Sequence, residues 1–186
     1  MVPMGWLVLV VVIGVLALYI RGLIGRLDRL HLRVAAATQA LDAQLLRRAS
    51  AVVAVVESGA LDPPSALLLA DVATDAQNAD MEQRPLAESA VSQSLRTVFE
   101  QPGLVESVTS APSGGQLLAD LAKACDRVTL ARRFANEAVR STVAFRARWA
   151  VRLLHLAGHA PMPTMFEMDD APPPDLARFV DGAPYP

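Results

Sequence analysis

The N-terminal apolar run from Val2 to Ile24 is the feature that most constrains this chain. It carries a single charge, Arg21, and between Leu7 and Ile20 it is almost wholly Leu, Val and Ile. About 20 helical residues cover the ~30 Å hydrocarbon core of a bilayer. Each such residue favours insertion by about 0.3–0.6 kcal/mol, and a long Arg side chain near the end of the run can reach the headgroups. The run therefore predicts a transmembrane helix.

A cleaved secretory signal is the alternative interpretation of this run. Such a signal begins with basic residues and ends in a small-x-small cleavage site. Here no Lys or Arg precedes Trp6, and the run leaves through Leu18, Tyr19, Ile20 and Arg21. We therefore favour an uncleaved anchor over residues 1–26.

The basic residues that flank the run predict its orientation. None precedes it; Arg21 lies near its C-terminal end, and Arg26, Arg29 and Arg33 follow closely. Because positively charged flanks stay on the cytoplasmic side, we expect the N-terminus outside and the rest of the chain in the cytoplasm of a single-pass protein.

Composition narrows the class of the remaining domain. The chain has 186 residues and is 53% hydrophobic but only 5% aromatic, which favours packed helices over an aromatic-rich sheet. Its net charge of −2 argues against a nucleic-acid partner. The prevalence of Arg over Lys, with much Ala and Val, is typical of a GC-rich bacterial genome. The single cysteine, Cys125, excludes an internal disulfide and is predicted to be a small buried residue.

The segment from Leu27 to Ser58 is predicted to be the first helix of the domain. It contains neither Pro nor Gly, and its apolar residues recur every three or four positions. This stripe consists of Leu27, Leu30, Val34, Leu41, Leu45, Val52 and Val56. Because nothing forces a break between Ile20 and Leu27, we expect the anchor to continue directly into this helix.

The second helix is predicted to follow a clear boundary. Gly59 is suited to end the first helix, and Asp62 with Pro63 marks the start of the second, which runs to about Met81. Its predicted apolar face is Leu68, Val72, Ala76 and Ala79. Three aspartates lie on or near the other face: Asp71, Asp75 and Asp80. Since no His stands nearby, we interpret them as a solvated acidic face rather than as metal ligands.

A third helix is predicted after the break at Arg84-Pro85, and it stops at Pro102-Gly103. Its predicted inward residues are Ala87, Val91, Leu95 and Val98. Residues 104–115 are rich in Ser, Pro and Gly and are predicted to form a loop, with room for one helical turn around Val105.

The last helix is predicted to be the longest. Ser113 and Gln116 fit a capping box, and Gly158 and Pro161 end the pattern. Its predicted inward set is Leu118, Leu121, Cys125, Val128, Ala131, Ala135, Val139, Thr142, Phe145, Trp149, Leu153 and Leu156. Four helices joined by short turns predict an all-α, up-and-down antiparallel bundle over residues 27–159. Residues 160–186 are proline-rich and are predicted to be mostly irregular.

Three segments resemble the signature motifs of the LemA family. The first is Leu41-Asp42-Ala43-Gln44-Leu45-Leu46-Arg47-Arg48 with Val55-Val56-Glu57, similar to I-D-x-Q-L-x-R-R followed by L-V-E. The second is Ala131-Arg132-Arg133-Phe134-Ala135-Asn136-Glu137-Ala138-Val139, similar to A-R-x-F-Y-N-x-A-V. The third is Pro161-Met162-Pro163 with Phe166-Glu167-Met168-Asp169-Asp170, similar to the family's phenylalanine-plus-acid ending. The resemblance covers roughly residues 22–170.

The resemblance implies a membrane-anchored helical bundle without an established activity, cofactor or catalytic residue. The chain departs from the family's proline in the first helix at Val53, and from its tyrosine and asparagine positions at Ala135, Thr142 and Val143. The motif residues expected to have structural roles are Asp42, Gln44, Arg47, Arg48, Glu57, Arg132 and Asn136. A polar cluster of Asp42, Gln44, Arg47 and Arg48 is one such arrangement, and we interpret it as structural pairing rather than as a site.

No pattern in the chain specifies chemistry. His155 and His159 have the four-residue spacing of two zinc ligands, but the Glu of an H-E-x-x-H site is missing. We therefore interpret them as imidazoles near a helix C-terminus, where they face the helix dipole. No nucleophile elbow, P-loop or dinucleotide glycine pattern occurs, and no cofactor is predicted.

These features predict a non-enzymatic scaffold or interaction protein at the cytoplasmic membrane surface, with the bilayer and unidentified proteins as its partners. The alternative is an enzyme or an accessory subunit of a membrane-associated hydrolase complex.

The end of the last helix has the composition of a membrane interface. Its membrane-interface candidates are Arg146, Arg148, Trp149 and Arg152, interleaved with apolar Leu153, Leu154 and Leu156. In the alternative interpretation Trp149 and Leu153 belong to the bundle core and the arginines form a solvated face.

Overall fold

A computed structural model describes residues 4–156, 158 and 160–180, and all regular elements within these ranges are helical. The predicted all-α class is confirmed. The elements are α1 Met4–Glu57, α2 Pro63–Asn78, α3 Arg84–Phe99, α4 Leu104–Ser110, α5 Gly114–Arg146, α6 Trp149–Leu153 and a 3₁₀ helix Pro174–Phe179. The chain divides into two compact units. Unit 1 is Met1–Ala37 with Ala135–Met165, and unit 2 is Thr38–Phe134 with Phe166–Pro186.

Helix α1 is continuous over Met4–Glu57, so the prediction that the apolar run continues into the first domain helix is confirmed. The part of α1 in unit 1 is long and apolar enough to span a membrane. Its large apolar side chains are exposed: Trp6, Leu7, Val8, Leu9, Val10, Val11, Val12, Ile13, Val15, Leu16, Leu18 and Tyr19. Gly22 and Gly25 do not interrupt the helix.

Unit 1 also contains a small apolar cluster that follows the exposed stretch. Leu27 of α1 packs with Phe145 of α5 and Val151 of α6. Partly buried Leu23, Leu30 and Leu156 border this cluster. It fastens α6 to the α1 turns that come directly after the apolar run.

Unit 2 contains the main hydrophobic core. Helix α3 packs against α2, α4 and the 3₁₀ helix. The core draws buried side chains from every element of the unit, among them Val52, Leu69, Val91, Leu95, Phe99, Val108, Leu118, Leu121, Cys125 and Leu176. The predicted helix boundaries at Gly59 and Asp62 are confirmed: Gly59 has φ of 70°, and Asp62 Oδ2 accepts a hydrogen bond from Ser65 N at 3.2 Å.

The buried face of α2 differs from the predicted one. It consists of Ser65, Leu69, Ala73 and Ala76, whereas Leu68 is 39% exposed. Because residues 67–69 are all leucine, the apolar pattern of the sequence is compatible with more than one buried face, and tertiary packing selects the face that contains Leu69. The helix also ends at Asn78, because Ala79 is extended and Asp80 Oδ1 accepts hydrogen bonds from Glu82 N and Gln83 N at 3.0 and 2.8 Å.

The predicted single last helix is wrong at its C-terminal end. Helix α5 stops at Arg146, Arg148 is extended with φ −61° and ψ 137°, and the short α6 follows. No Pro or Gly marks this break in the sequence. The break turns Val151 into the cluster with Leu27, and it leaves Trp149 75% exposed. Tertiary packing therefore outweighs the helical propensity of the segment.

The connection between α3 and α5 also differs from the prediction. Residues Leu104–Ser110 form a helix, α4, rather than a loop with one turn. The predicted capping box is wrong, because Ser113 has φ of 61° and Gln116 Nε2 donates to Asp120 Oδ1 at 2.9 Å instead of reaching back.

Gly114 provides a test of the α4–α5 connection. A Cβ atom at Gly114 would collide with the carbonyl oxygen of Val108, whereas one at Gly115 would only touch Thr109 Cγ2 at 3.8 Å. We expect Gly114→Ala to lower the free energy of unfolding by about 1–3 kcal/mol, because the backbone has to shift. The matched Gly115→Ala change should be neutral or stabilise the fold by up to about 1 kcal/mol.

Both variants are compared with the parent by circular-dichroism melting of the detergent-solubilised chain. Equal melting temperatures for the two alanine variants would contradict the close approach of Gly114 to Val108.

Candidate functional site

A buried ion pair connects α1 and α3 in unit 2. Arg48 Nη2 donates to Glu88 Oε2 at 2.6 Å, and the two side chains are only 2% and 4% exposed. Arg48 also donates to the Glu88 carbonyl at 2.9 Å and to Ser92 Oγ at 2.8 Å. A buried charge is tolerated only when it is paired and hydrogen-bonded in this way.

The other residues of the first motif do not join this pair. Arg47 and Glu57 are exposed, and Asp42 is half-buried. Gln44 is also half-buried, and its Oε1 is buried without a hydrogen-bond partner among the described residues. The polar side chains that the sequence analysis missed are Glu88 and Ser92. Their burial could have been predicted, since each lies three residues before an apolar residue of the buried face of α3, Val91 and Leu95 respectively.

Two arginine forks bind the segment after residue 165 in unit 2, and we call these contacts the tail clamp. Arg96 of α3 holds both carboxylate oxygens of Asp169. Arg132 of α5 donates from Nε and Nη2 to the two oxygens of Asp170 at 2.8 and 3.0 Å. Bidentate pairs of this kind are strong and fix the geometry of both partners.

Further contacts complete the tail clamp. Ser89 Oγ accepts a hydrogen bond from Asp169 N at 3.0 Å, and Thr129 Oγ1 donates to the Asp170 carbonyl at 3.1 Å. Leu176 of the 3₁₀ helix is buried in the core. Within residues 166–180, the part of the predicted irregular tail that unit 2 holds is therefore largely without α-helix yet tied to α3 and α5. Its acidic pair brings the third sequence motif into contact with Arg132 of the second.

The tail clamp shifts the pKa values of Asp169 and Arg96 in the directions that favour their charged forms. The hydrogen bond from Arg96 lowers the pKa of Asp169 from its ordinary value. The same bond raises the pKa of Arg96. The carboxylate and the guanidinium therefore stay charged, and paired, through the neutral range.

Cys125 lies in the core of unit 2, as predicted. Burial raises the pKa of its thiol to about 11. The side chain is thus a protonated apolar residue at neutral pH and lacks the thiolate that a nucleophile requires.

The membrane-interface candidates lie together in unit 1. Arg146 donates to the carbonyls of Ala160 and Pro161 at 2.7 and 2.8 Å. Arg148 lies over the Phe145 ring at 5.3 Å, and Arg26 lies over the same ring at 5.1 Å. These contacts position the guanidinium groups around the apolar cluster of α1, α5 and α6.

The side chains of α6 divide sharply between buried and exposed. Ala150 and Val151 are buried, whereas Trp149 and Leu153 are 75% and 67% exposed and Arg152 is exposed. The alternative interpretation, in which Trp149 and Leu153 belong to the core, is therefore wrong. The same finding corrects their assignment to the inward set of the last helix.

The remaining predicted residues are placed as follows. Asn136 of α5 is buried. His155 is exposed, and its Nδ1 lies 3.3 Å from the Leu153 carbonyl. His159 falls outside the described residues. Within the described ranges no group of three or more His, Cys, Asp or Glu side chains is arranged to hold a metal ion.

Charge is unevenly distributed between the two units. Unit 1 contains eight arginines and only two acidic residues, Asp28 and Glu137, a formal net charge of +6. Unit 2 contains nine basic and 17 acidic residues, a formal net charge of −8. The near-neutral total therefore conceals a strongly basic unit that contains the apolar run.

Comparisons with known proteins add no assignment. No protein-family model, curated protein or solved structure matches the chain. The LemA resemblance stays a prediction that rests on its three motifs.

The buried ion pair gives a stability prediction. Arg48→Met removes the closest partner of the buried Glu88 carboxylate and leaves only Arg84 Nε, 3.9 Å from Oε1, so we expect a loss of about 3 kcal/mol in the free energy of unfolding. The double change Arg48→Met with Glu88→Leu should cost less than the single change, because it removes both charges. The exposed neighbour Arg47→Met is the control and should change stability by less than about 0.5 kcal/mol. Urea unfolding in detergent measures all three, and equal losses at Arg47 and Arg48 would contradict the pair.

The tail clamp gives a prediction about pH. Because the folded-state pKa of Asp169 is lowered, its contribution is complete above the ordinary value of about 3.9 and is lost as pH falls through the folded-state value. Amide hydrogen exchange over residues 170–180, corrected for intrinsic rates, should therefore show full protection at neutral pH and loosening in acid. Asp169→Asn should reduce that protection already at pH 7.

The exposed Glu167→Gln change removes one charge from the same segment and should leave protection unchanged. Equal loss of protection in both variants would contradict a specific role for the Arg96–Asp169 pair.

Proposed function

We propose that this chain is a single-pass membrane protein of the LemA type. Its helical domain would act as a non-enzymatic scaffold or interaction protein at the cytoplasmic surface of the cell membrane. The observation that carries the proposal is the continuous exposure of apolar side chains from Trp6 to Tyr19 on α1. A monomeric soluble protein rarely exposes so large an apolar surface, and hydrocarbon covers it at no cost in hydrogen bonds.

The charge distribution supports the proposed orientation. Four of the arginines of unit 1 lie at or shortly after the end of the apolar run, and the other four lie within residues 135–165. Basic residues close to a transmembrane helix favour the cytoplasmic side, and anionic inner-leaflet lipids attract them. In this topology the helices after the anchor follow one another in up-and-down antiparallel order, as the short connections between them favour.

An exposed apolar pair on α5 supports the interaction role. Leu130 and Phe134 lie one helical turn apart and are both at least half exposed. Aromatic and aliphatic side chains that face outward together are typical of protein contact surfaces. The core of unit 2 meanwhile is filled by aliphatic side chains, by Phe99 and by the protonated Cys125 thiol. These features favour binding over chemistry.

Thiol labelling tests the proposed topology. Ala177 is exposed in unit 2 and Gly5 is exposed at the start of α1, whereas Cys125 is buried with a protonated thiol. We expect an impermeant maleimide to label Gly5→Cys in intact cells and to label Ala177→Cys only after the cells are permeabilised. Labelling of Ala177→Cys in intact cells would contradict the cytoplasmic location.

Purification of the tagged chain from detergent-solubilised membranes then tests the role. Stable protein partners whose recovery falls with Phe134→Ser support the scaffold, and the exposed Arg133→Ser change is the matched control. Recovery of a hydrolase as the main partner supports the alternative, an accessory subunit.

A further inference from the structure

The α6 segment is held close to the point where the apolar run ends. The cluster of Leu27, Phe145 and Val151 packs α6 against α1, with Leu23 and Leu30 at its border. Leu27 comes three residues after Ile24, where the apolar run ends, which corresponds to about 4.5 Å along the helix axis. The headgroup layer on each side of the hydrocarbon core is about 5–8 Å thick. If α1 crosses the bilayer, α6 therefore lies at the level of the headgroups.

The exposed side chains of α6 have the chemistry of a membrane interface. Trp149, Leu153 and Leu154 expose apolar surface, and Arg148 and Arg152 are exposed beside them. Trp is favoured at the boundary between hydrocarbon and water, and leucines can enter the acyl region below it. The arginines provide hydrogen-bond donors that match phosphate oxygens.

A groove beside α6 combines these two kinds of surface. It has a volume of about 910 Å³, and its lining includes Arg146, Trp149, Arg152, Leu153 and Met162. Arg146 is fixed by the carbonyls of Ala160 and Pro161, so the wall that it forms is pre-organised. None of the described residues that line the groove is acidic. Its charge therefore complements an anionic ligand.

We propose that α6 and this groove form a juxtamembrane site for anionic phospholipid headgroups of the leaflet into which α1 emerges. The inference rests on the proposed crossing of the bilayer by α1. The site adds a second contact with the membrane, and the net charge of +6 on unit 1 favours phosphatidylglycerol-type lipids over zwitterionic ones.

The test uses the full chain reconstituted in vesicles. The chain has two tryptophans, so Trp6→Phe leaves Trp149 as its only tryptophan. The vesicles contain phosphatidylcholine and phosphatidylglycerol, and in two parallel preparations one or the other lipid is brominated high on its acyl chains. We expect brominated phosphatidylglycerol to quench Trp149 more than brominated phosphatidylcholine does. The emission should shift to the blue relative to pure phosphatidylcholine vesicles, and the preference should weaken as salt rises.

Matched charge changes identify the arginines responsible. Each basic residue near an anionic surface is expected to contribute about fivefold to the lipid preference. Arg152→Gln should reduce the preference by about that factor, and Arg148→Gln with Arg152→Gln should reduce it further. The control is Arg127→Gln with Arg133→Gln, which removes two exposed charges from α5 within unit 2 and should leave the preference unchanged.

The outcomes separate this inference from the proposed function. If alkaline carbonate extracts the chain from the vesicles, the membrane anchor fails and both proposals are wrong. If the chain resists extraction but Trp149 is quenched equally by the two brominated lipids, or not at all, the lipid site alone is wrong. If the α6 and α5 variants lose the lipid preference equally, the preference comes from the net charge of the chain, and the proposed site is wrong.

Discussion

The burial of Arg48 against Glu88 is the interaction on which the packing of unit 2 depends. Arg48 donates to the Glu88 carboxylate, to the Glu88 carbonyl and to Ser92 Oγ, so the pair restricts the rotation of α1 and α3 about their axes. With those rotations set, Val52 and Val55 of α1 face the same core as Val91 and Leu95 of α3. The contacts of α3 with α2, α4 and the 3₁₀ helix then follow from the same face.

The segment after α6 shows how irregular backbone is held in a defined place. Its carboxylates meet arginine forks from α3 and α5, and Leu176 fills a position in the core. Charge-assisted hydrogen bonds provide direction, and the buried leucine provides the apolar contact. The tail clamp thereby ties together helices that are distant in sequence. If partners bind to unit 2 on this side, they meet the segment held by the tail clamp and not the core beneath it.

The two units differ in apolar exposure and in charge, the two properties that govern contact with a membrane. Unit 1 combines the apolar run, a small core that includes Phe145 between two arginines, and a strong positive charge. Unit 2 carries a strong negative charge, which an anionic membrane surface repels. Under the proposed topology this segregation confines lipid contact to unit 1 and leaves unit 2 available for proteins. The same segregation explains why the total charge of the chain is uninformative about its partners.

The features that depend on local chemistry could be predicted from the order of the residues alone. The continuous α1, the Gly59 and Asp62 boundaries and the buried Cys125 follow from apolar period, capping and side-chain size, and the structure agrees with them. Tertiary structure alone decided the phase of α2, the break after Arg146, and the partners of Arg48 and Asp169. Each of these is a choice between locally similar alternatives: three adjacent leucines, a helix that lacks a breaker, and charges with several possible partners. Contacts between residues far apart in the chain make those choices, because only they determine which alternative buries apolar surface and pairs every buried charge.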